Sequence, residues 1–238
     1  MVTLQCLLEF ENKQDEKVVL DLMRRFSSAE RYAYKRLLEG HKRKELKKNI
    51  SRLFNINTRY SDDAILLANS MIASCNEKQQ NPKKTIFGSR KIFEKLNKNH
   101  LNGYRKEELK TKWRESRQGN LYSRGDKSKQ GNLNLRIERL DNGVMDNERT
   151  DNGVIGIDNE LYLRINTGNK QYIYAKIVRS VKREKDKWIE FIYMLSQAHL
   201  TGEYFPYSVR LKLKIVKCMP LYLLKRNYHL LQLEGTVE

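Results

Sequence analysis

The chain has 238 residues, enough for one large or two small domains, and 47 Lys and Arg against 29 Asp and Glu leave a formal net charge of +18. Self-repulsion on that scale opposes compaction and makes a polyanion the natural partner; the plainer alternative is a basic protein with no specific partner. Three scattered cysteines (Cys6, Cys75, Cys218) exclude a disulfide framework and a CxxC zinc site, and no run approaches the ~20 apolar residues of a membrane span.

The first ten residues lack the basic start of a signal peptide. A reduced, cytoplasmic and nucleoid-associated location without a membrane partner is therefore expected, and nothing points to a cofactor or metal.

Val2 to Phe10 alternates loosely and reads as a strand. A helix follows, with Asp15 as its expected N-cap, apolar Val18, Val19, Leu22, Phe26, Ala29 and Ala33 at helical spacing, and Gly40 as its stop. His41 to Lys48 is a charge run that suits a solvated helix start. Ser61-Asp62-Asp63 before Ala64-Ile-Leu-Leu-Ala68 predicts another helix, since short acidic side chains suit its positive end, with Ile65, Ala68, Met71 and Ile72 facing the core and Pro82 ending it. Ile86 to Leu96 and Lys106 to Trp113 predict shorter basic helices that complete a bundle.

Beyond Ser116 the texture changes. Glycines become frequent and apolar residues alternate in Leu133–Ile137, Leu161–Ile165, Tyr172–Ile177 and Val209–Leu213, which predicts antiparallel strands. Asp186 to Gln197 carries Trp188, Phe191, Ile192 and Leu195 as one amphipathic helix. Asp141-Asn-Gly-Val144 and Asp151-Asn-Gly-Val154 read as a short near-repeat in a flexible hairpin. The expected class is α+β: an opening strand, an inserted helical bundle, then a small antiparallel β-barrel.

Charge is concentrated. Lys78 to Arg136 holds 17 basic and 5 acidic residues, net +12 of the +18. Candidate contacts there are Lys83, Lys84, Arg90, Lys91, Lys110, Lys112, Arg114, Arg117, Arg124, Lys127, Lys129 and Arg136, interleaved with Phe87, Phe93, Tyr104, Trp113 and Tyr122. Phosphates want that density of cations, and rings such as Tyr122 can stack on unpaired bases. Phe93 and Trp113 also suit the plainer role of core anchors. Within Gln118 to Asn132 three glycines free the backbone to follow a phosphate chain, or leave a disordered loop; the Gly-Lys-Ser/Thr of a P-loop is absent.

Arg31-Tyr-Ala-Tyr-Lys-Arg-Leu-Leu-Glu-Gly40, Asn57-Thr-Arg-Tyr-Ser-Asp-Asp-Ala-Ile65, Phe87-Gly-Ser-Arg-Lys91, Arg117-Gln-Gly-Asn-Leu-Tyr122, Gly125 to Ile137 and Tyr172-Ile-Tyr-Ala-Lys-Ile177 together resemble, in order and over residues 1–217, the front half of TnpB. TnpB is the RNA-guided endonuclease of small insertion sequences, related to type V CRISPR effectors. The resemblance implies an OB-like barrel, the wedge domain, interrupted by a helical recognition domain. Residues 1–12 would be the first wedge strand, 13–116 the recognition domain, 117–217 the basic loop and remaining wedge, and 218–238 an atypical tail. Guide RNA and target-adjacent duplex DNA would be the partners. The helix opening at Asn57 is similar to the one facing the DNA motif, which puts forward Arg59, Tyr60 and Asp63; an Asp there would accept from a cytosine or merely cap the helix.

Family cleavage uses a RuvC-like domain with metal-holding carboxylates, and a zinc ribbon; the resemblance places both after Lys217, where the tail departs from the pattern. A shifted frame of permitted codons turns that tail into a peptide similar to the last wedge strand, so a frameshift is expected after Lys217. Asp151 to Asp158 mimics a first RuvC strand, but the wedge strands come after it, and a hairpin strand is the expectation for Asp158. A wedge without its last strand would expose an edge. The expected function is guide-RNA and DNA binding without catalysis. The alternatives are one subunit of a split endonuclease, partnered by a separate RuvC-bearing chain, and an RNA-independent DNA-binding repressor.

Overall fold

The computed structural model describes residues 2–97, 103–125, 131–139, 161–168, 171–179, 185–202, 205–213 and 229–235. They fall into two compact units, residues 20–121 and residues 1–19 with 122–238. The class is mixed helix and sheet, and among the described residues no helix is long and apolar enough to cross a membrane.

Helix α1 (Lys13–Leu38) starts one turn before the expected cap. Asn12 Oδ1 accepts from the Asp15 amide at 2.8 Å, while Asn12 Nδ2 donates to the Asp15 carboxylate at 2.7 Å. Asp15 is thus the third helical residue and Asn12 is the cap, a reciprocal arrangement that satisfies an otherwise orphaned N–H. At the other end Gly40 takes φ +87°, and the His41 and Gly40 amides donate to the Arg36 and Leu37 carbonyls, each at 3.0 Å, which closes the last turn.

The helical unit buries Leu22, Met23, Phe26, Ala29 and Ala33 of α1 against Leu46 and Ile50 of α2 (Arg43–Phe54) and Tyr60, Ala64, Ile65 and Ala68 of α3 (Thr58–Glu77). Phe26 meets the Tyr60 ring edge-on at 6.1 Å. Asn57 Oδ1 caps α3 by accepting from the Arg59 and Tyr60 amides at 3.1 and 2.8 Å. The Ser-Asp-Asp run therefore lies inside the helix, and Asp62 there accepts a forked pair of bonds from Arg43 at 2.9 and 2.7 Å. A 3-10 turn (Pro82–Lys84) leads to α4 (Arg90–Leu96) and α5 (Gly103–Ser116).

The other unit is a seven-stranded sheet in the order β2-β6-β7-β1-β5-β4-β3. Its strands are β1 (Val2–Phe10), β2 (Asn120–Ser123), β3 (Leu135–Arg139), β4 (Leu161–Gly168), β5 (Gln171–Arg179), β6 (Tyr207–Lys212) and β7 (His229–Gly235). The β3–β4, β4–β5, β5–β1, β1–β7 and β7–β6 pairings are antiparallel. Alternate residues face one core: Leu161, Leu163 and Ile165 of β4, Ile173, Ala175 and Ile177 of β5, Leu4, Cys6 and Leu8 of β1. Helix α6 (Lys185–Thr201) adds Trp188, Phe191 and Ile192, with Phe191 ring to ring with Phe205 at 5.4 Å and Tyr207 at 5.8 Å.

The atypical tail supplies a strand: β7 comes from it and lies between β1 and β6. Leu231 stands opposite Cys6 and Leu211, and Leu233 opposite Leu4 and Val209, so the tail continues two rows of apolar register positions.

The sheet is open, with β2 and β3 at its ends, and no closed ladder joins them among the described residues. Side chains nonetheless link the two ends. Asn132 Nδ2 donates to the carbonyls of Ser123 in β2 (2.8 Å) and Tyr207 in β6 (3.4 Å), while its Oδ1 accepts from the amides of Asn134 and Leu135 (3.0 and 2.9 Å) as β3 begins. The Ile137 amide donates to the Tyr207 hydroxyl oxygen at 2.8 Å. Gly125 lies so close to the Tyr207 backbone that an added Cβ would sit 2.7 Å from its nitrogen; a glycine of the basic loop thus answers to close packing.

Candidate nucleic-acid interface

The cationic residues singled out in the sequence occupy three environments. Lys83, Lys84, Lys91 and Arg114 are exposed and, among the described residues, have no ion-pair partner. Arg90, Lys110 and Lys112 instead pair along their own helices with Glu94 (3.1 Å), Glu107 and Glu108. These pairs span three or four residues and face water, which screens them, so they add little to stability. Hydrogen bonds from Lys110 and Lys112 hold the Glu107 and Glu108 carboxyls below their ordinary range. Glu94, Glu107 and Glu108 are thus occupied locally, and the unpaired excess on the helical unit remains positive.

Arg117 belongs to the third environment. Its guanidinium lies over the Trp113 ring with Cζ 3.8 Å from the centroid, and Trp113 meets Phe93 at 5.4 Å, tying α4 to α5. Gly88, at φ +87°, permits this approach: a Cβ there would come within 2.5 Å of Arg117 Cγ and 2.6 Å of Ser116 Oγ. The Arg117 carbonyl accepts from Arg31 Nη1 at 2.6 Å. Arg31, 86 positions away, has no local signal in the sequence that could have joined it to this group.

The trio at the start of α3 is divided by the fold. Arg59 is part-exposed. Tyr60 and Asp63 are 0% and 3% exposed, so they are core residues and not surface contacts. The cause is helical period: positions 60, 64 and 68 fall on the buried stripe of α3 and 63 beside it. Burial, then the Asp63 carboxylate, pushes the Tyr60 hydroxyl well above its ordinary value.

In the sheet unit the half-buried Tyr122 ring lies under the Arg210 guanidinium at 5.2 Å, and its hydroxyl donates to Ser208 Oγ at 3.4 Å. Arg124 is exposed. Arg136 lies 3.6 Å from Glu138, which also meets Arg164 at 3.1 Å, and Arg164 covers the Tyr172 ring at 4.6 Å. Arg164, Arg210 and Tyr172 were not singled out as contacts in the sequence because each reads as an ordinary alternating strand position. Lys127, Lys129 and Asp158 lie outside the described residues, as does the near-repeat at 141–154.

The family model of the SSO2105 N-terminal domain matches residues 1–154. The chain belongs to that family. The SSO2105 N-terminal domain stretch runs from β1 through β3 and contains the whole helical unit, every candidate contact and Arg31. No curated protein and no solved structure matches the chain.

Proposed function

We propose that this chain holds nucleic acid as the wedge and recognition parts of a TnpB-like protein, gripping a guide RNA and target-adjacent duplex DNA without itself cutting. The observation that carries the reading is the exposed positive excess of the helical unit: Lys83, Lys84, Lys91 and Arg114 are exposed without an ion-pair partner among the described residues, while Glu94, Glu107 and Glu108 are engaged within their own helices. A surface built that way is stabilised by a phosphate polymer that releases its counterions on binding. The sheet unit supports an OB-like barrel as the finer architecture, since Asn132 and Tyr207 tie its two ends through side chains.

The test is purification from the native host with and without ribonuclease, followed by sequencing of the bound RNA and measurement of affinity against salt. Co-purifying transcript from the encoding element, with log affinity falling linearly in log salt, is expected. Tight duplex binding that survives ribonuclease would favour the repressor reading, and salt-insensitive or absent binding would overturn both.

A further inference from the structure

We propose that Arg31, Arg114 and Arg117, gathered where the end of α5 meets the middle of α1, form a phosphate-binding site floored by the indole of Trp113. The inference rests on the nucleic-acid reading only for the source of the phosphate; the chemistry of the site stands without it.

Three observations converge. First, the cations are held in place. Trp113 supports the Arg117 guanidinium from below at 3.8 Å, and Arg31 is fixed at both terminal nitrogens, Nη1 donating to the Arg117 carbonyl at 2.6 Å and Nη2 to Ser28 Oγ at 2.9 Å. Preorganised planar forks of this kind suit phosphate oxygens, and little side-chain freedom is left to lose on binding.

Second, like charges crowd the group. Burial and then the nearby Arg117 charge lower the Arg31 pKa, and burial and then Arg114 lower that of Arg117. Glu30 is the carboxylate that opposes this at Arg31, and it already accepts from Asn120 Nδ2 at 3.0 Å. Among the described residues no carboxylate offsets the repulsion at Arg117. An anion among the three would relieve a repulsion the fold otherwise carries.

Third, hydrogen-bonding capacity is left over. Arg117 Nε and Trp113 Nε1 are buried, and among the described residues neither has an acceptor. Buried donors without acceptors are costly. Gly88 preserves the arrangement, because any side chain there would displace Arg117 or Ser116.

The experiment titrates the full-length chain with inorganic phosphate at constant ionic strength while following tryptophan emission, and separately measures the salt dependence of binding to a single-stranded RNA oligonucleotide. Phosphate is expected to change the emission of the intact chain and not that of Trp113→Phe. Arg117→Gln keeps the carbonyl that Arg31 uses, and should weaken phosphate about tenfold, with Arg117→Lys recovering part of the loss. Arg114→Gln, at an exposed position that does not threaten the fold, should weaken it a few-fold. If the source is a nucleic-acid backbone, each Gln variant also lowers the salt slope for RNA by about 1. Phosphate binding with unaltered RNA slopes keeps the site and assigns it to free phosphate or a phosphorylated small molecule. RNA binding by the intact chain, with no phosphate effect on Trp113 and unchanged slopes, overturns the site and leaves the nucleic-acid reading standing. Emission that responds equally in the intact chain and in Arg117→Gln overturns the site as well.

Discussion

The two units handle polarity in opposite ways. In the helical unit most charge stays outside, Asp63 excepted, and much of the polar bonding is between near neighbours: Ser61 Oγ donates to the Asn57 carbonyl at 3.0 Å, and Asn57, Asn81 and Ser89 each cap the helix or turn they precede. In the sheet unit the decisive polar groups are buried and bridge long stretches of chain, as Asn132 does to Tyr207 and Tyr207 to Ile137. The difference teaches where each unit is vulnerable. A unit satisfied by neighbours tolerates surface change and responds in binding, whereas one satisfied across the chain loses several bonds when a single side chain is removed.

The sharpest way to break that comparison is Asn132→Ala. It removes bonds to two carbonyls and two amides inside the sheet unit, and a loss of about 3 kcal/mol or more is expected in denaturant unfolding. A loss under about 1 kcal/mol would show that water replaces the amide and that the bridge is dispensable.

Alkali gives a second test. Burial pushes the Tyr207 hydroxyl up to about 12, while an exposed tyrosine titrates near ~10. Because the neutral form is the one the fold holds, its contribution is complete below pH ~10 and declines at up to about 1.4 kcal/mol per pH unit until pH ~12. Stability measured across that window should fall more steeply in the natural chain than in Tyr207→Phe. Tyr60, also raised by burial, retains its own share in both.

Smaller still is the Arg43–Asp62 fork, with Arg43 57% exposed at its side chain; a double-mutant cycle should return about 1 kcal/mol or less. Neutralising Lys83 and Lys84 together should move stability by no more than about 0.5 kcal/mol. The same pair should lower the salt slope of nucleic-acid binding by about 2. Unchanged slopes would remove this turn from the interface.

Period and composition in the sequence specified much of the secondary structure. The apolar stripe of α1, its end at Gly40, the alternation in β4, β5 and β6, and the amphipathic α6 were all legible, because each depends on neighbours within a few residues. Starts were read less well. Asp15 and the Ser61-Asp-Asp63 run have the right chemistry for caps, yet Asn12 and Asn57 take those roles, and acidic side chains are also favourable one turn inside a helix. Packing of α3 turned Tyr60 and Asp63 inward and changed the candidate interface.

What the sequence determined alone was therefore the inventory: a strongly basic stretch, a helical segment followed by a strand-rich one, and rings interleaved with cations. The tertiary structure decided the partners. It inserted β7 from the atypical tail between β6 and β1, joined the ends of an open sheet through Asn132 and Tyr207, and brought Arg31 to Arg117. The physical reason is common to all three: these contacts link residues far apart in the chain, and local spacing carries no record of which distant carbonyl or strand completes a residue's hydrogen bonds.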